Sequence, residues 1–320
     1  MARSGVTTVD FKYADSPLQV PGFAVGEKEK TAFGSRGFVE LRQVSPPDDL
    51  FAIRTRISGL FARRAGHEEG LFFDFAGSDD QTNKMRLPQL LDVRNFAPEL
   101  TRTAFFRNAS DIAKSLLGPD ATFKADHALM KPSSDGAATP WHQDDAFRNL
   151  DSEYNEISIW LALQDTTREN GCMGFVPVSK GDEILPHRWV GGDRRIHALE
   201  CYDGWSAEDV VWCPLSSGDC TVHTNRVLHG AGPNVSKQPR MAYVLVFGTP
   251  VKKPAVPVHH AWLKNKIEPR AERRQQWLRR GGIAIHVWRR FKQIPEIGIL
   301  EMTNRVVLKV GKRLTHRNAG

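Results

Sequence analysis

The sequence predicts a mainly β fold with flanking helices, of the two-sheet jelly-roll class. Many short stretches in the second half of the chain have the apolar pattern of strands bounded by turn residues. Helical patterns are concentrated before residue 118. Helices that precede the strands, rather than alternating with them, favour an antiparallel sandwich over a parallel sheet. With 320 residues, 40% of them hydrophobic, the chain can form a sizeable core.

The helices are predicted in the first third of the chain. Residues 1–35 are mixed in character and are expected to form an extended arm. A strand is expected over 37–44, and then a helix that Ser45 caps and that ends at about Arg64. Residues 66–88 are expected to form a loop, and 98–117 one or two helices.

The strands of the predicted sandwich follow from residue 121 onwards. They are expected at 121–130, 141–144, 156–163, 210–212, 220–223 and 241–247, with a further strand that ends at 175–177. The stretch 180–208 is too irregular for a sheet and is interpreted as an insertion over the site. Its Arg188, Arg194 and Arg195 are either substrate contacts or solvated side chains. We predict one jelly-roll domain over 1–250 and a basic extension over 251–320 packed on it.

Composition indicates a cytoplasmic protein. No run of eighteen apolar residues occurs, and the N-terminus has no hydrophobic segment typical of a signal peptide. The four cysteines form no Cys-x-x-Cys pair and are too few for disulfides to stabilise a chain of this length, so we expect reduced thiols.

Three residues form a candidate metal site. In the segment Trp141-His142-Gln143-Asp144, residues i and i+2 of an extended strand point the same way, so His142 and Asp144 lie side by side. His229 supplies a second imidazole. Two His and one carboxylate form a facial triad that leaves positions open, which suits non-heme iron(II). Asp145 is an alternative carboxylate, but on a strand it points away from His142, and His223 is an alternative imidazole.

Arg240 distinguishes His229 from His223, because it follows His229 by eleven residues on an otherwise apolar strand. A guanidinium binds a carboxylate through two parallel hydrogen bonds, which is what the far end of a dicarboxylate co-substrate requires. We therefore predict that Arg240 binds a dicarboxylate beside the metal.

These segments together resemble the phytanoyl-CoA dioxygenase family of iron(II)/2-oxoglutarate oxygenases. The resemblance spans roughly residues 36–250 and depends on the order of its segments. In chain order these are Gly37-Phe38-Val39-Glu40-Leu41, Lys131-Pro132, Trp141-His142-Gln143-Asp144, Asn170-Gly171-Cys172-Met173-Gly174-Phe175-Val176-Pro177, His229-Gly230-Ala231-Gly232-Pro233-Asn234 and Arg240.

The resemblance implies a double-stranded β-helix of the cupin-like kind, with Fe(2+), 2-oxoglutarate and O2 as cofactor and co-substrates. It also implies that His127 faces the 2-oxoglutarate carboxylate beside the metal and that Trp160 borders the same pocket, although either residue is equally explained as plain core. Ala231 and Ala242 stand where relatives often have a hydroxyl residue, and Thr221 is a candidate replacement.

We expect an enzyme that hydroxylates an unactivated C–H bond of a small metabolite and forms succinate and CO2. Desaturation and cyclisation remain open, as does the identity of the substrate. The alternatives are a non-catalytic metal-binding jelly-roll protein and a zinc-type hydrolase with the same triad. We expect a small-molecule substrate and no nucleic acid.

The net charge of +7 is unevenly distributed. Residues 251–320 contain 17 Lys and Arg against 4 Asp and Glu, while the rest of the chain contains 27 against 33. Residues 279–294 place an apolar arc, which includes Trp288, among basic residues with a helical period. We expect this arc to pack on the domain. Weak contact with an anionic membrane or an acidic carrier protein is the alternative.

Overall fold

The fold is described from a computed structural model. The description covers residues 22–78, 84–177, 183–253, 256–264, 266–282 and 284–285. Within these ranges the α-helices are α1 Glu27–Arg36, α2 Pro47–Ala62, α3 Ala104–Leu117 and α4 Pro269–Trp277. Short 3-10 helices occupy Val93–Asn95, Pro98–Arg102, Asp144–Phe147, Val190–Gly192, Ala207–Asp209 and Ala261–Leu263, and a π turn occupies Leu278–Gly282.

The strands of the described chain are β1 Phe38–Leu41, β2 Phe72–Asp74, β3 Pro88–Leu91, β4 Thr122–Lys131, β5 Thr139–His142, β6 Glu156–Ala162, β7 Met173–Val176, β8 His187–Trp189, β9 Leu199–Cys201, β10 Val211–Cys213, β11 Cys220–Thr224, β12 Leu228–Ala231 and β13 Arg240–Gly248. They form a seven-stranded sheet in the order β1-β11-β6-β13-β4-β3-β2, a four-stranded sheet in the order β10-β7-β12-β5, and the β8-β9 hairpin. Every pairing is antiparallel, and the arrangement is consistent with a jelly roll.

The two faces of the seven-stranded sheet have different partners. One face packs on α2 and α3 in a large apolar cluster to which Ile53, Ile112 and Leu245 belong. The other face packs on the four-stranded sheet, where Val244 shares a second cluster with Phe175. Because neighbouring residues of a strand point to opposite faces, Val244 and Leu245 contribute to different cores. The space between the sheets is therefore bounded by strands on both sides.

Two expectations for the N-terminal part are wrong. The arm predicted over 1–35 contains helix α1, which has acidic residues in its first turn and ends at Gly37 in a left-handed conformation. This helix buries none of its residues, so its sequence lacks the apolar period that predicts a helix. Helix α2 begins after Pro46, and Ser45 makes no capping hydrogen bond.

The predicted loop over 66–88 contains the short strand β2 and the start of β3. The Asp74 carboxylate accepts the backbone N–H groups of Ala76, Arg86 and Leu87 and so joins the two ends of the intervening segment. A strand of three residues is too short to show a period in the sequence. The adjacent Phe72 and Phe73, which are buried in the structure, were the feature of the sequence that could have indicated this strand.

The insertion predicted over 180–208 contains the β8-β9 hairpin. Two of its three arginines interact within the insertion: Arg188 forms an ion pair with Glu200 at 2.7 Å, and Arg195 one with Asp193 at 2.8 Å. Neither arginine lines the central cavity described below, whereas His197 of the same insertion does.

The chain divides into two compact units, Met1–Arg273 and Arg274–Gly320. Within the first unit, residues beyond 250 contact the fold through short pairings, such as Leu150 with Val258 and Glu153 with Lys252. The domain boundary predicted after residue 250 stays a prediction. The apolar arc predicted over 279–294 lies largely outside the described residues, so the predictions for it also stay open. Within the described ranges no helix is long and apolar enough to cross a membrane.

We predict that Asn234→Ala destabilises the fold. Asn234 is completely buried, and its amide donates to the carbonyl oxygens of Lys131, Pro132 and Gln238. Loss of three hydrogen bonds should lower the free energy of unfolding by about 3 kcal/mol. Urea unfolding measures this change. Asn170→Ala, in a more exposed turn, is the matched control and should cost less than about 1 kcal/mol; equal losses for both variants would contradict the prediction.

Candidate metal centre and co-substrate pocket

Antiparallel pairing brings the two candidate imidazole ligands together. His142 ends β5 and is the direct partner of His229 in β12, and their ring centroids lie 4.3 Å apart. Asp144 does not continue the strand, as the sequence analysis expected, but begins the 3-10 helix Asp144–Phe147. Gln143 between them is extended, with φ −111° and ψ 135°, so the carboxylate still turns towards the imidazoles.

One ligand atom from each of His142, Asp144 and His229 lies within 4.8 Å of the other two. The Oδ1 atom of Asp144 is 3.7 Å from the Nε2 atom of each histidine. Each histidine donates its Nδ1–H to the carbonyl oxygen two residues earlier in the chain, at 2.7 Å to Pro140 and 3.0 Å to Val227. Because these bonds place the ring proton on Nδ1, both Nε2 lone pairs face the carboxylate, as metal ligands require.

The surroundings favour the metal-binding protonation states. Burial holds the pKa of His229 well below its ordinary value, so the ring is neutral at pH 7. Burial acts against ionisation of Asp144, but the edges of the surrounding His142, His229 and His223 rings outweigh it and hold the pKa of this carboxyl well below the usual range. Two imidazoles with Nε2 towards an ionised carboxylate constitute a donor set for a divalent ion such as iron(II).

The second oxygen of Asp144 has its own contacts. Ser158 donates to Oδ2 at 3.3 Å, and His223 Nε2 lies 4.0 Å from the same atom. His223, the alternative imidazole of the sequence analysis, therefore lies on the outer side of the carboxylate. Burial lowers its pKa to about 4.

Asp145, the alternative carboxylate, belongs to a different network. It is fully buried and accepts hydrogen bonds from Arg148 at 2.6 Å and Arg226 at 3.3 Å. Arg148 also donates a hydrogen bond to the carboxylate of Glu156 at 2.9 Å. These ion pairs fix the segment that follows the metal strand, and they leave Asp144 as the carboxylate nearest the two imidazoles.

Arg240 is buried beside the site without a hydrogen-bond partner. Only 1% of the residue is exposed, and within the described chain none of its three guanidinium nitrogens has an acceptor. Its guanidinium carbon lies 5.3 Å from the centre of the Trp160 ring. Two further buried donors lack acceptors here, Trp160 Nε1 and Thr221 Oγ1, on residues that face each other across β6 and β11.

A buried cation without a partner is costly, and burial lowers the pKa of Arg240 to about 9. An anion with several acceptor oxygens would satisfy the guanidinium, the indole N–H and the hydroxyl together. The pocket thus fits the far carboxylate of 2-oxoglutarate. Thr221, the candidate hydroxyl donor from the sequence, faces Trp160 across the strand pair, and its role towards the co-substrate stays a prediction. The open indole N–H of Trp160 was not predicted.

Lys131 is a buried cation, and its burial next to Arg240 was not predicted from the sequence. It is the direct strand partner of Arg240, and its ammonium donates to the carbonyl oxygen of Ala137. Burial and the charge of Arg240 hold its pKa well below the ordinary lysine value. A lysine directly after the apolar run Ala128-Leu129-Met130 was the available signal.

A cavity of about 590 Å³ connects Arg240 with the metal ligands and continues beyond them. His127 and Trp160 both line it, as expected, and burial lowers the pKa of His127 to about 4. Their roles towards the co-substrate stay predictions. The wall also contains aromatic residues that sequence reasoning did not place there: Phe73, Phe75 and Phe147.

Comparison with known proteins identifies the family. The profile of the phytanoyl-CoA dioxygenase family (PhyH) matches residues 33–242. The chain belongs to this family. A probable phytanoyl-CoA dioxygenase of Caenorhabditis elegans is 23% identical over 227 residues, which cover 67% of this chain and 72% of that protein. L-proline trans-4-hydroxylase of Streptomyces griseoviridis is 23% identical over 255 residues, covering 74% and 91%.

Solved structures agree with this assignment. EvdO2 from Micromonospora carbonacea var. aurantiaca is 35% identical with a TM-score of 0.64, and its complex with 2-oxoglutarate aligns at 31% identity with a TM-score of 0.62. Each alignment covers 78% of this chain and 96% of EvdO2. Family, triad and anion pocket together define the chain as an iron(II)/2-oxoglutarate-dependent dioxygenase.

We predict that Ser158→Ala weakens iron binding. The serine hydroxyl holds the outer oxygen of Asp144, and loss of a group that orients a metal ligand typically lowers affinity about ten-fold or more. Anaerobic competition with a chromophoric iron(II) chelator measures the dissociation constant. Ser115→Ala, on the exposed side of α3, is the control. An unchanged affinity in Ser158→Ala would mean that this hydrogen bond does not position the carboxylate.

Proposed function

We propose that the protein hydroxylates an unactivated C–H bond of a small-molecule metabolite. One O2 is consumed with one 2-oxoglutarate, which leaves as succinate and CO2, and one oxygen atom enters the substrate. The observation that carries the proposal is the position of Arg240: an unpartnered guanidinium at one end of a cavity, with the three-ligand group beside the same cavity. A relative that is named as a proline hydroxylase supports this reaction type.

Each group of residues would have a separate role in the reaction. His142, Asp144 and His229 would hold iron(II), which with 2-oxoglutarate and O2 supplies the oxidising power. Arg240 would bind the far carboxylate of the co-substrate, with Trp160 supplying a further hydrogen bond to that end. The apolar walls exclude water and hold one substrate C–H bond close to the metal.

We also infer that the two sheets form a double-stranded β-helix of the cupin-like kind. The antiparallel seven- and four-stranded sheets with the site between them support this assignment. Such a framework places ligands from facing strands at fixed positions while loops form the walls.

Other outcomes of the same chemistry differ in their products. Desaturation or cyclisation would give a product two mass units lighter than the substrate, whereas hydroxylation adds sixteen mass units. A zinc-type hydrolase or a non-catalytic metal protein has no need of a buried dicarboxylate pocket, so the unpartnered Arg240 argues against both.

Turnover of 2-oxoglutarate tests the proposal. The purified protein, supplied with iron(II), O2 and 2-oxoglutarate, should form succinate, faster in the presence of a substrate, and the product should be sixteen mass units heavier. His142→Ala should abolish both. Absence of succinate with every metabolite pool would count against an oxygenase, and a product two mass units lighter would replace hydroxylation by desaturation or cyclisation.

We predict that Arg240→Ala mainly weakens 2-oxoglutarate binding. Loss of a buried bidentate partner should cost about 2 to 4 kcal/mol of binding free energy, while iron remains bound. Anaerobic titration, followed by the visible absorbance that 2-oxoglutarate produces on chelating iron(II), measures the affinity.

Stability provides a second measure of the same change. In the protein without co-substrate, removal of an unpartnered buried cation should not lower the melting temperature. Addition of 2-oxoglutarate with iron should raise it in the wild type more than in Arg240→Ala. Arg102→Ala, at an exposed position, should behave as the wild type. A normal 2-oxoglutarate affinity in Arg240→Ala would remove this residue from the site.

A further inference from the structure

We propose that the substrate is an anion, a carboxylate or a phosphate ester with an apolar body, and that Lys124 binds its charged group at the end of the cavity opposite Arg240. This inference rests on the proposed function and names the substrate class of the same site. Four features of the structure carry it: the direction of the cavity, a bulge in β4, the local charge balance and an aromatic wall.

The cavity follows the direction of β13. Arg240 begins this strand and Gly248 ends it, roughly 25 Å away at the rise of a β-strand. Val244 lines the cavity part-way along and Val246 nearer the far end. The co-substrate pocket is at the Arg240 end, so the far end, near Glu156 and Lys124, is left for the substrate.

A β-bulge turns Lys124 into the cavity. In the pairing of β13 with β4, Val246 faces Ala125 and the next residue, Phe247, faces Phe123, so Lys124 is an extra residue without a partner. Regular alternation would point Lys124 away from Ala125, whose side chain lines the cavity. Instead both residues line it. Bulges redirect side chains in this way and are frequent beside active sites.

The charge of Lys124 is not balanced by the protein. Nearby Glu156 accepts from Arg148 at 2.9 Å and from Asn225 at 3.1 Å, so its carboxylate is already bound. Across the described ranges, Lys124 forms no ion pair or hydrogen bond. Arg148 and Arg226 in turn balance Asp145 and Glu156. Lys124 therefore gives this end of the cavity a positive surplus, which favours an anionic ligand.

Three phenylalanines form an apolar wall of the cavity beside the metal ligands. Phe75 lies 5.9 Å from Phe147, and their ring centres are 6.0 Å and 5.4 Å from His142. Phe73 lines the same cavity. An anion held by Lys124 would lay its apolar body along this wall and bring a C–H bond next to the triad.

Binding of model ligands tests the inference. The full-length protein is loaded anaerobically with iron(II) and 2-oxoglutarate, so that Arg240 is occupied. Dissociation constants are measured by calorimetry for 3-phenylpropanoate, 2-phenylethyl phosphate and the neutral 3-phenylpropanamide. At least one of the anions should bind about ten-fold more tightly than the amide, as one charged hydrogen bond predicts. Tighter binding of the carboxylate or of the phosphate identifies which anion the site prefers.

Variants assign the preference to Lys124. Lys124→Met should abolish it while the affinity for the amide is unchanged, and Lys124→Arg should retain it. Lys114→Met, on the exposed side of α3, is the matched control. Equal affinities of the wild type for anions and amide, no binding of any probe at millimolar concentration, or a preference that survives in Lys124→Met would overturn the inference. The absorbance of the iron-bound 2-oxoglutarate is recorded in each sample, and its absence from the wild type would contradict the proposed function instead.

Discussion

The geometry of the site depends on the pairing of β12 with its two neighbours. This strand lies between β5 and β7 in the four-stranded sheet, and its pairing with β5 places His229 opposite His142. Gly230 permits the close approach, because a Cβ atom there would lie 3.0 Å from the Trp141 ring. Trp141 in turn packs on Trp205 and Trp212 at centroid distances of 4.9 Å and 5.8 Å. Aromatic packing outside the sheet thus stabilises the register that aligns the ligands inside it.

The interior of the molecule contains charges that the fold alone does not satisfy. Burial of Lys131 and Arg240 opposite each other costs free energy, since like charges repel and both lose hydration. An anionic co-substrate would recover part of that cost when it binds. If Arg240 binds the co-substrate as proposed, the stability of the protein would be linked to its affinity for the co-substrate, and selection for stability alone would not retain this arrangement.

The sequence predicts those parts of the site that depend on local spacing. His142 and Asp144 are two residues apart, and Arg240 follows His229 at a fixed distance along the chain, so their approximate placement needs only strand geometry. The two-sheet class and most strands also follow from apolar patterns. The structure differs at Asp144, where the strand has ended, although the extended Gln143 preserves the direction of the carboxylate.

Other features depend on contacts that no local pattern contains. Helix α1 has no clear apolar period, and β2 is too short for one, so neither is visible in the sequence. The orientation of Lys124 results from a bulge, which depends on the register of β13 against β4 over the whole length of the pair. Phe73 and Phe75 enter the wall because Asp74 closes the segment between them and Arg86.

The two ends of the cavity are built from different kinds of structure, and this difference bears on specificity. Arg240 and Trp160 lie on central strands of the larger sheet, where neighbours on both sides fix each backbone position. The opposite end combines a bulge with the start of β6, and other parts of the cavity wall come from the insertion and residues 266–270. Changes in these irregular segments alter shape and charge without moving the metal ligands. A fixed oxidising centre with a separately variable substrate end allows one fold to act on unrelated metabolites, so the substrate must be inferred from the far end of the cavity and not from the triad.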